Sequence, residues 1–252
     1  MANSGGRSVS VFLLCVLLTV SCSVKEDRTD CPCSLFVELE SLPPSAKAQL
    51  SFSSEGFYDS RTALQDTSLM VQVPKTDVLV LAISGASPGD DGRVRIPLGF
   101  ECPPLHLFAG EVDARGERAE LTARLHKHYC LLELEFSGPP GWGEPYWTEI
   151  RGEVNGIEMD GSPSEGEFSC RLDSGFSCRL PRQSPDRLLW LDIAMPDRVV
   201  RTFNLARFML DAGYDWTAPD LEDMTLHIDL SVSEISFRTD NWSTVIPIAF
   251  EI

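Results

Sequence analysis

Apolar residues recur at every second position along most of this chain, in short runs separated by Gly, Pro, Asp and Asn. Leu35, Val37 and Leu39 alternate with polar residues, as do Leu69, Val71 and Val73. Leu132, Leu134 and Phe136 share one parity while Glu133 and Glu135 take the other. Leu189, Leu191, Ile193 and Met195 repeat the pattern, and Met224, Leu226, Ile228, Leu230 and Val232 give its longest stretch. Successive side chains of a strand point to opposite faces, so this period places one apolar face per strand, and a helix cannot use it. Val78 to Ile83 is apolar at both parities, which suits a strand covered on both sides. Turn signals punctuate the runs. Asp90-Asp91-Gly92 precedes Val94 and Ile96, Pro103-Pro104 precedes Leu105 to Ala109, and Pro196-Asp197 leads back through Val199 to Phe203. Many short strands with turns about every ten residues predict an all-β sandwich or barrel.

One helix interrupts the pattern. Asn204 can cap it, Leu205, Phe208 and Met209 fall on one face, and Gly213 can end it. A weaker helix candidate surrounds Leu64. No strand–helix alternation of the α/β kind is present. The polar stretch from Gly110 to Arg118 divides the chain, giving an N-terminal β-sandwich over 34–118 and a C-terminal one over 119–252. Gly138 to Tyr146, rich in Gly and Pro, reads as an exposed loop of the second half.

Ahead of the first strand run, Arg7 is the only charge before Lys25, and Val9 to Ser21 is apolar apart from small hydroxyl residues. A positive start and a short apolar core predict a secretory signal over 1–21, too short to span a bilayer comfortably. It ends Leu18-Thr19-Val20-Ser21-Cys22, which resembles a bacterial lipoprotein box, although Leu sits four residues before Cys22 rather than three. Lys25, Glu26 and Asp27 then resemble the signal that sends lipoproteins of the Bacteroidota to the outer face of the outer membrane. On this reading Cys15 leaves with the signal, Cys22 carries lipid, and 22–33 is a polar tether. The alternative is ordinary secretion, with Cys22 in a disulfide. The formal charge is -17 with no basic cluster, which argues against nucleic acid as a partner.

Six further cysteines follow the tether's first residue: Cys31, Cys33, Cys102, Cys130, Cys170 and Cys178. In an exported chain an even number favours disulfides over zinc. In FSCRLDSGFSCRL, residues 168 to 180, a hairpin turning at Asp173-Ser174-Gly175 would set Leu172 against Phe176 and Cys170 against Cys178. Cys31 and Cys33 would then pair with Cys102 and Cys130 in either order, one bridge crossing between the halves.

Chemistry finds little foothold. His126, His128 and Cys130 lie on one strand face and form a conceivable metal or Cys–His site, but the same face continues into Leu132, Leu134 and Phe136. No metal and no cofactor is assigned. Neither a catalytic motif nor a phosphate or calcium loop appears, and the pairs Glu222-Asp223 and Asp90-Asp91 are adjacent residues that point apart on a strand. The chain therefore reads as a non-enzyme. Trp142, Tyr146 and Trp147 can either stack on sugar rings or close the end of a sandwich. Ile246, Ile248, Phe250 and Ile252 alternate, with Pro247 on the opposite parity, which marks an edge strand. That strand either completes its own sheet or is donated to another subunit.

Several of these stretches resemble one family. Cys22 with Lys25-Glu26-Asp27, Asp30-Cys31-Pro32, Ala119 to Arg124, Ala212-Gly213-Tyr214-Asp215-Trp216, Asp220-Leu221-Glu222-Asp223 and Asn241-Trp242 are similar to the fimbrial anchor (minor-fimbrium anchor) lipoproteins of the fimbrillin superfamily in the Bacteroidota. The resemblance implies two tandem transthyretin-like β-sandwich domains. It also implies a role at the base of a fimbria, with pilin subunits as partners and the outer membrane held through the N-terminal lipid. The box around Cys22 and the extra Cys33 depart from the family pattern. Two other roles fit the same parts. One is a surface glycan-binding lipoprotein, which needs Trp142, Tyr146 and Trp147 on one exposed face. The other is a fimbrial tip or stalk subunit; a stalk pilin loses its first strand at a basic residue, and Arg124 is placed for such a cut.

Overall fold

The computed structural model describes residues 31–42, 46–64, 68–89, 91–138, 145, 147–158, 160–172, 176–194, 200–229, 234–238 and 243–247. The signal, Cys22 and the Lys25-Glu26-Asp27 stretch lie outside these residues, as do Trp142, Tyr146, Ile248, Phe250 and Ile252.

Strands β1 (Cys33–Glu40), β2 (Lys47–Ser54), β3 (Phe57–Leu64), β4 (Ser68–Val73) and β5 (Asp77–Ser84) open the fold. They are followed by β6 (Val94–Arg95), β7 (His106–Asp113), β8 (Arg118–Arg124) and β9 (His126–Lys127). A three-stranded sheet ordered β4-β1-β8 faces a five-stranded sheet ordered β3-β2-β5-β7-β9. Leu35, Val37 and Leu39 of β1 interdigitate with Leu50, Phe52, Val78 and Val80 in the core between them. The 60s stretch is strand rather than helix: β3 pairs with β2 over its whole length, from Lys47 opposite Leu64 to Ser54 opposite Phe57. The hairpin turns at Gly56, whose φ of 69° lies in the left-handed region glycine tolerates. Tertiary pairing outweighs the local propensity there.

The second sandwich is built from β10 (Tyr129–Ser137), β11 (Trp147–Ile157), β12 (Pro163–Leu172), β13 (Ser177–Pro181), β14 (Leu189–Ala194), β15 (Val200–Asn204), β16 (Met224–Asp229), β17 (Glu234–Arg238) and β18 (Ser243–Pro247). One sheet runs β13-β10-β16-β17-β18 and the other β12-β11-β14-β15, with β6 pairing on β11. Helix α1 (Leu205–Asp211) forms as expected. The Asn204 side chain accepts from the Arg207 N–H at 3.0 Å, Leu205 and Met209 are buried, and Gly213 follows at a φ of 87°.

The FSCRL repeat is not a hairpin. Leu172 ends β12, which pairs with β11, whereas Ser177 begins β13, which pairs with β10. Each strand is claimed by a different neighbour, so the chain passes from one sheet to the facing one between them.

The two halves are joined more deeply than a division at 118/119 suggests. Strand β8 pairs in parallel with β1, Ser34 opposite Arg118 through Glu40 opposite Arg124, and so belongs to the first sandwich. The chain crosses at 125–128: the Leu125 N–H donates to the Glu40 carbonyl at 3.0 Å and the His128 N–H to the Leu105 carbonyl at 2.9 Å. A second crossing precedes it. The segment between β5 and β7 leaves the first sandwich and places β6 beside β11, with Gly156 opposite Arg95 and Ile157 opposite Val94. At Gly156 a Cβ would lie 1.9 Å from the Val94 carbonyl oxygen, so only glycine admits this approach. The apolar character of both faces of β5 now has its cause. Val78 and Val80 face the first core, while Leu81 and Ile83 join the second.

Candidate functional site

The junction carries the densest polar network among the described residues. The loop after α1 folds back over the crossing strand. Asp220 accepts from the Lys127 N–H at 2.8 Å and lies 3.1 Å from Nδ1 of His126. Asp223 accepts from Nζ of Lys127 at 2.5 Å and from the Leu131 N–H at 2.7 Å. Tyr214 and Trp216 of the same loop are buried with their rings edge to face, 4.7 Å between centroids. The Tyr214 hydroxyl donates to the Glu222 carbonyl at 2.7 Å. Asp215 holds the turn by accepting from the N–H and hydroxyl of Thr217.

At the centre is Arg182, buried, with its guanidinium spread over four acceptors. It donates to the carbonyls of Trp216, Ala218 and Pro219 at 2.5, 2.8 and 2.9 Å, and through Nε to Nδ1 of His128 at 3.1 Å. Burial, then the neighbouring Arg182 charge, lower the His128 pKa to about 3, and its Nδ1 must keep a free lone pair to accept. An unfolded chain protonates this imidazole below about pH 6.5, whereas the folded one refuses the proton down to about pH 3. Stability from this group is therefore full above pH 6.5 and is lost as pH falls through that window, at up to about 1.4 kcal/mol per pH unit. His128→Asn keeps an acceptor without the titration. Urea midpoints at pH 7 and pH 4.5 are expected to differ less in that variant than in the parent; an equal drop in both would count against the assignment.

The residues that suggested a metal or Cys–His site thus have separate structural partners. His126 faces Asp220, His128 faces Arg182, and Cys130 lies in the core against Tyr214. Burial pushes the Cys130 thiol up to about 12, which keeps it protonated at neutral pH. No group of three or more candidate metal ligands occurs among the described residues.

The six described cysteines are all thiols in this structure. Cys33 is buried in the first core, while Cys102 and Cys130 are buried in the second. Cys31 is exposed beside Cys33, at the end of β1 away from the junction. The expected pairing of Cys31 and Cys33 with Cys102 and Cys130 is not formed in this structure, where Cys33 belongs to the first core and Cys102 and Cys130 to the second. Trp147 is half-buried, and the Arg171 guanidinium lies over its ring, 4.8 Å from the centroid. Strand β18 lies in its own sheet with Ile246 opposite Ile235 and Pro247 opposite Glu234. Among the described residues it is the outermost strand of that sheet, which places Pro247 at an edge where its missing N–H breaks no ladder.

The direction of the strands gives the molecule two poles. β1 begins at Cys33 and runs toward the junction, which it reaches at Glu40. β10 leaves the junction; β16 is parallel to it, β17 antiparallel to β16, and β18 antiparallel to β17. The last described strand thus runs away from the junction and ends level with Ser137, at the far end of the second sandwich. None of the described helices is long and apolar enough to cross a membrane.

No protein-family model matches the chain, and no curated protein does. Solved structures share its fold. A candidate polysaccharide-binding protein of Bacteroides thetaiotaomicron superposes with a TM-score of 0.64 at 13% identity, covering 85% of this chain and 98% of that one. The fimbrial anchor protein Mfa2 of Porphyromonas gingivalis gives 0.58 at 10% identity, covering 84% and 99%. A fimbrial assembly protein of Parabacteroides distasonis gives 0.52 at 10%, covering 86% and 100%. The two-sandwich, all-β architecture is common to them, and the likeness is one of fold.

Proposed function

We propose that this chain is the basal subunit of a fimbria, a lipoprotein held in the outer membrane through Cys22, displayed at the cell surface by its Lys25-Glu26-Asp27 signal, and joined to pilin subunits at the opposite end. The observation that carries this reading is the placement of the two poles. A chain tethered just ahead of Cys33 would present the end of its last described strand on the side away from the membrane. The fold shared with Mfa2 and with a fimbrial assembly protein supports it. In this reading the strand carrying Ile246, and beyond it Ile248, Phe250 and Ile252, meets the next subunit. The pairing of Ser243–Pro247 with β17 supports self-completion for its first part. A glycan role has less support, since Arg171 occupies a face of the Trp147 ring.

The test is deletion of the chain from a fimbriated cell, alongside Cys22→Ala at the native locus. Both are expected to release assembled fibres into the medium. Fibres still attached to the cells, or no fibres at all, would overturn the assignment.

A further inference from the structure

Three thiols from three parts of the chain converge in the core of the second sandwich. Cys170 comes from β12, opposite Ile150, and Cys178 from β13, opposite Leu132, so they project inward from facing sheets. Cys102 arrives on the segment that crosses from the first sandwich. Cys102 and Cys178 are fully buried and Cys170 is 5% exposed. The Arg179 carbonyl marks their meeting point: it accepts from the Cys102 N–H at 2.8 Å and lies 3.6 Å from Sγ of Cys178. Among the three, Cys170 and Cys178 lie in the same buried cluster and perturb each other's titration through a thiol–thiol interaction, Cys170 downward and Cys178 upward.

We propose that Cys170 and Cys178 form a disulfide that staples the two sheets of the second sandwich, leaving Cys102 as a thiol beside it. A disulfide needs Cα atoms within about 7 Å, closer than the roughly 10 Å between stacked sheets. Leu172 ends the strand on one sheet and Ser177 begins the strand on the facing one, so only four residues separate them and both cysteines sit at the corner where the two sheets are joined. Inter-sheet bridges in the immunoglobulin sandwich use the same placement, one inward cysteine from each sheet.

The oxidant is a small disulfide such as oxidised glutathione, or a disulfide-bonded oxidoreductase. The Cys170 thiolate, the less buried of the two, attacks one sulfur of the oxidant, forming a mixed disulfide and expelling a thiolate. The Cys178 thiolate then attacks Cys170 Sγ and expels the second. One protein dithiol and one oxidant disulfide become one protein disulfide and two oxidant thiols, with the two protein protons passing to the released thiolates. The bond forms wherever the chain folds under oxidising conditions, so it does not depend on the anchor reading.

The test is refolding of the mature chain with oxidised glutathione or with reductant, then alkylation in denaturant and non-reducing digestion. After oxidation, the peptides holding Cys170 and Cys178 are expected as one linked species, two hydrogens lighter than the reduced pair, with Cys102 alkylated. Reduction is expected to lower Tm by roughly 5–10 °C, from the loop-closure entropy of so short a bridge in a chain of this size. The double variant C170A/C178A is expected to show the same Tm with and without reductant. Alkylation of both cysteines after oxidation, or a link from either one to Cys102, would overturn the proposal, and both outcomes are read on the unmutated chain.

Discussion

Arg182→Met is expected to cost about 3 kcal/mol or more of folding stability, read as a fall in the denaturant midpoint. The methionine matches the stem of the arginine but supplies no donor. The carbonyls of Trp216, Ala218 and Pro219 and Nδ1 of His128 all lose their partner at once. A buried acceptor left without a donor costs about 1–3 kcal/mol, partly offset here because a cation no longer has to be buried. Arg182→Lys should recover less than half of the loss, because three donors on one nitrogen cannot reach acceptors spread around a planar fork. With the neighbouring cation gone, His128 should also titrate higher, so the acid loss of stability shrinks. A midpoint within about 0.5 kcal/mol of the parent would show that the loop is held by Tyr214 and Trp216 alone, a margin within which ordinary surface substitutions fall.

Gly85→Ala is the second large effect. Gly85 follows β5 directly, at a φ of 90°, where the chain leaves for the second sandwich. A Cβ there would stand 2.2 Å from the Pro104 carbonyl oxygen and 2.7 Å from its carbon, both backbone atoms of the returning segment. The left-handed conformation alone costs an L-residue about 1–2 kcal/mol, and forcing extra volume into packed structure adds about 1–3. A loss of roughly 3 kcal/mol is expected by urea denaturation, with faster proteolysis between residues 86 and 104 as its local sign. Gly99→Ala is the control, since its Cβ would meet nothing within 4 Å although its φ is also positive, at 84°. Equal losses in the two variants would mean that backbone strain, not the close approach, governs Gly85.

What the sequence made legible is what local patterning encodes. Alternation at Leu132, Leu134 and Phe136 is the pleat itself, and the helix announces itself through Asn204 and Gly213. Pairing partners are a different matter. Nothing near Arg118–Arg124 says that this strand lies alongside β1, because the hydrogen bonds of a parallel pair are made to residues far away in sequence. The two apolar faces of β5 were readable, but their reason, a second core reaching over Leu81 and Ile83, is a property of the assembled fold. Cys170 and Cys178 were expected to face each other across a hairpin, whereas their strands belong to facing sheets and both side chains enter the second core. Arg182 left no mark at all. A single arginine after a strand looks solvent-bound until the loop carrying Tyr214 and Trp216 closes over it. The Tyr214-Asp215-Trp216 stretch, read as a family motif, is in physical terms a lid of buried rings over the crossing.

The opposed directions of the first and last strands set how the molecule would answer to a pull. Tension applied ahead of Cys33 runs along the axis of β1, which is hydrogen-bonded to β4 on one side and β8 on the other. Such a strand cannot be peeled bond by bond; its ladders are loaded in shear and must give way together. Tension beyond Pro247 also shears, but β18 is five residues long and, among the described residues, bonded to β17 alone. The outer grip is therefore the mechanical fuse. Under rising force the outermost described strand slips first, and the first sandwich keeps its fold.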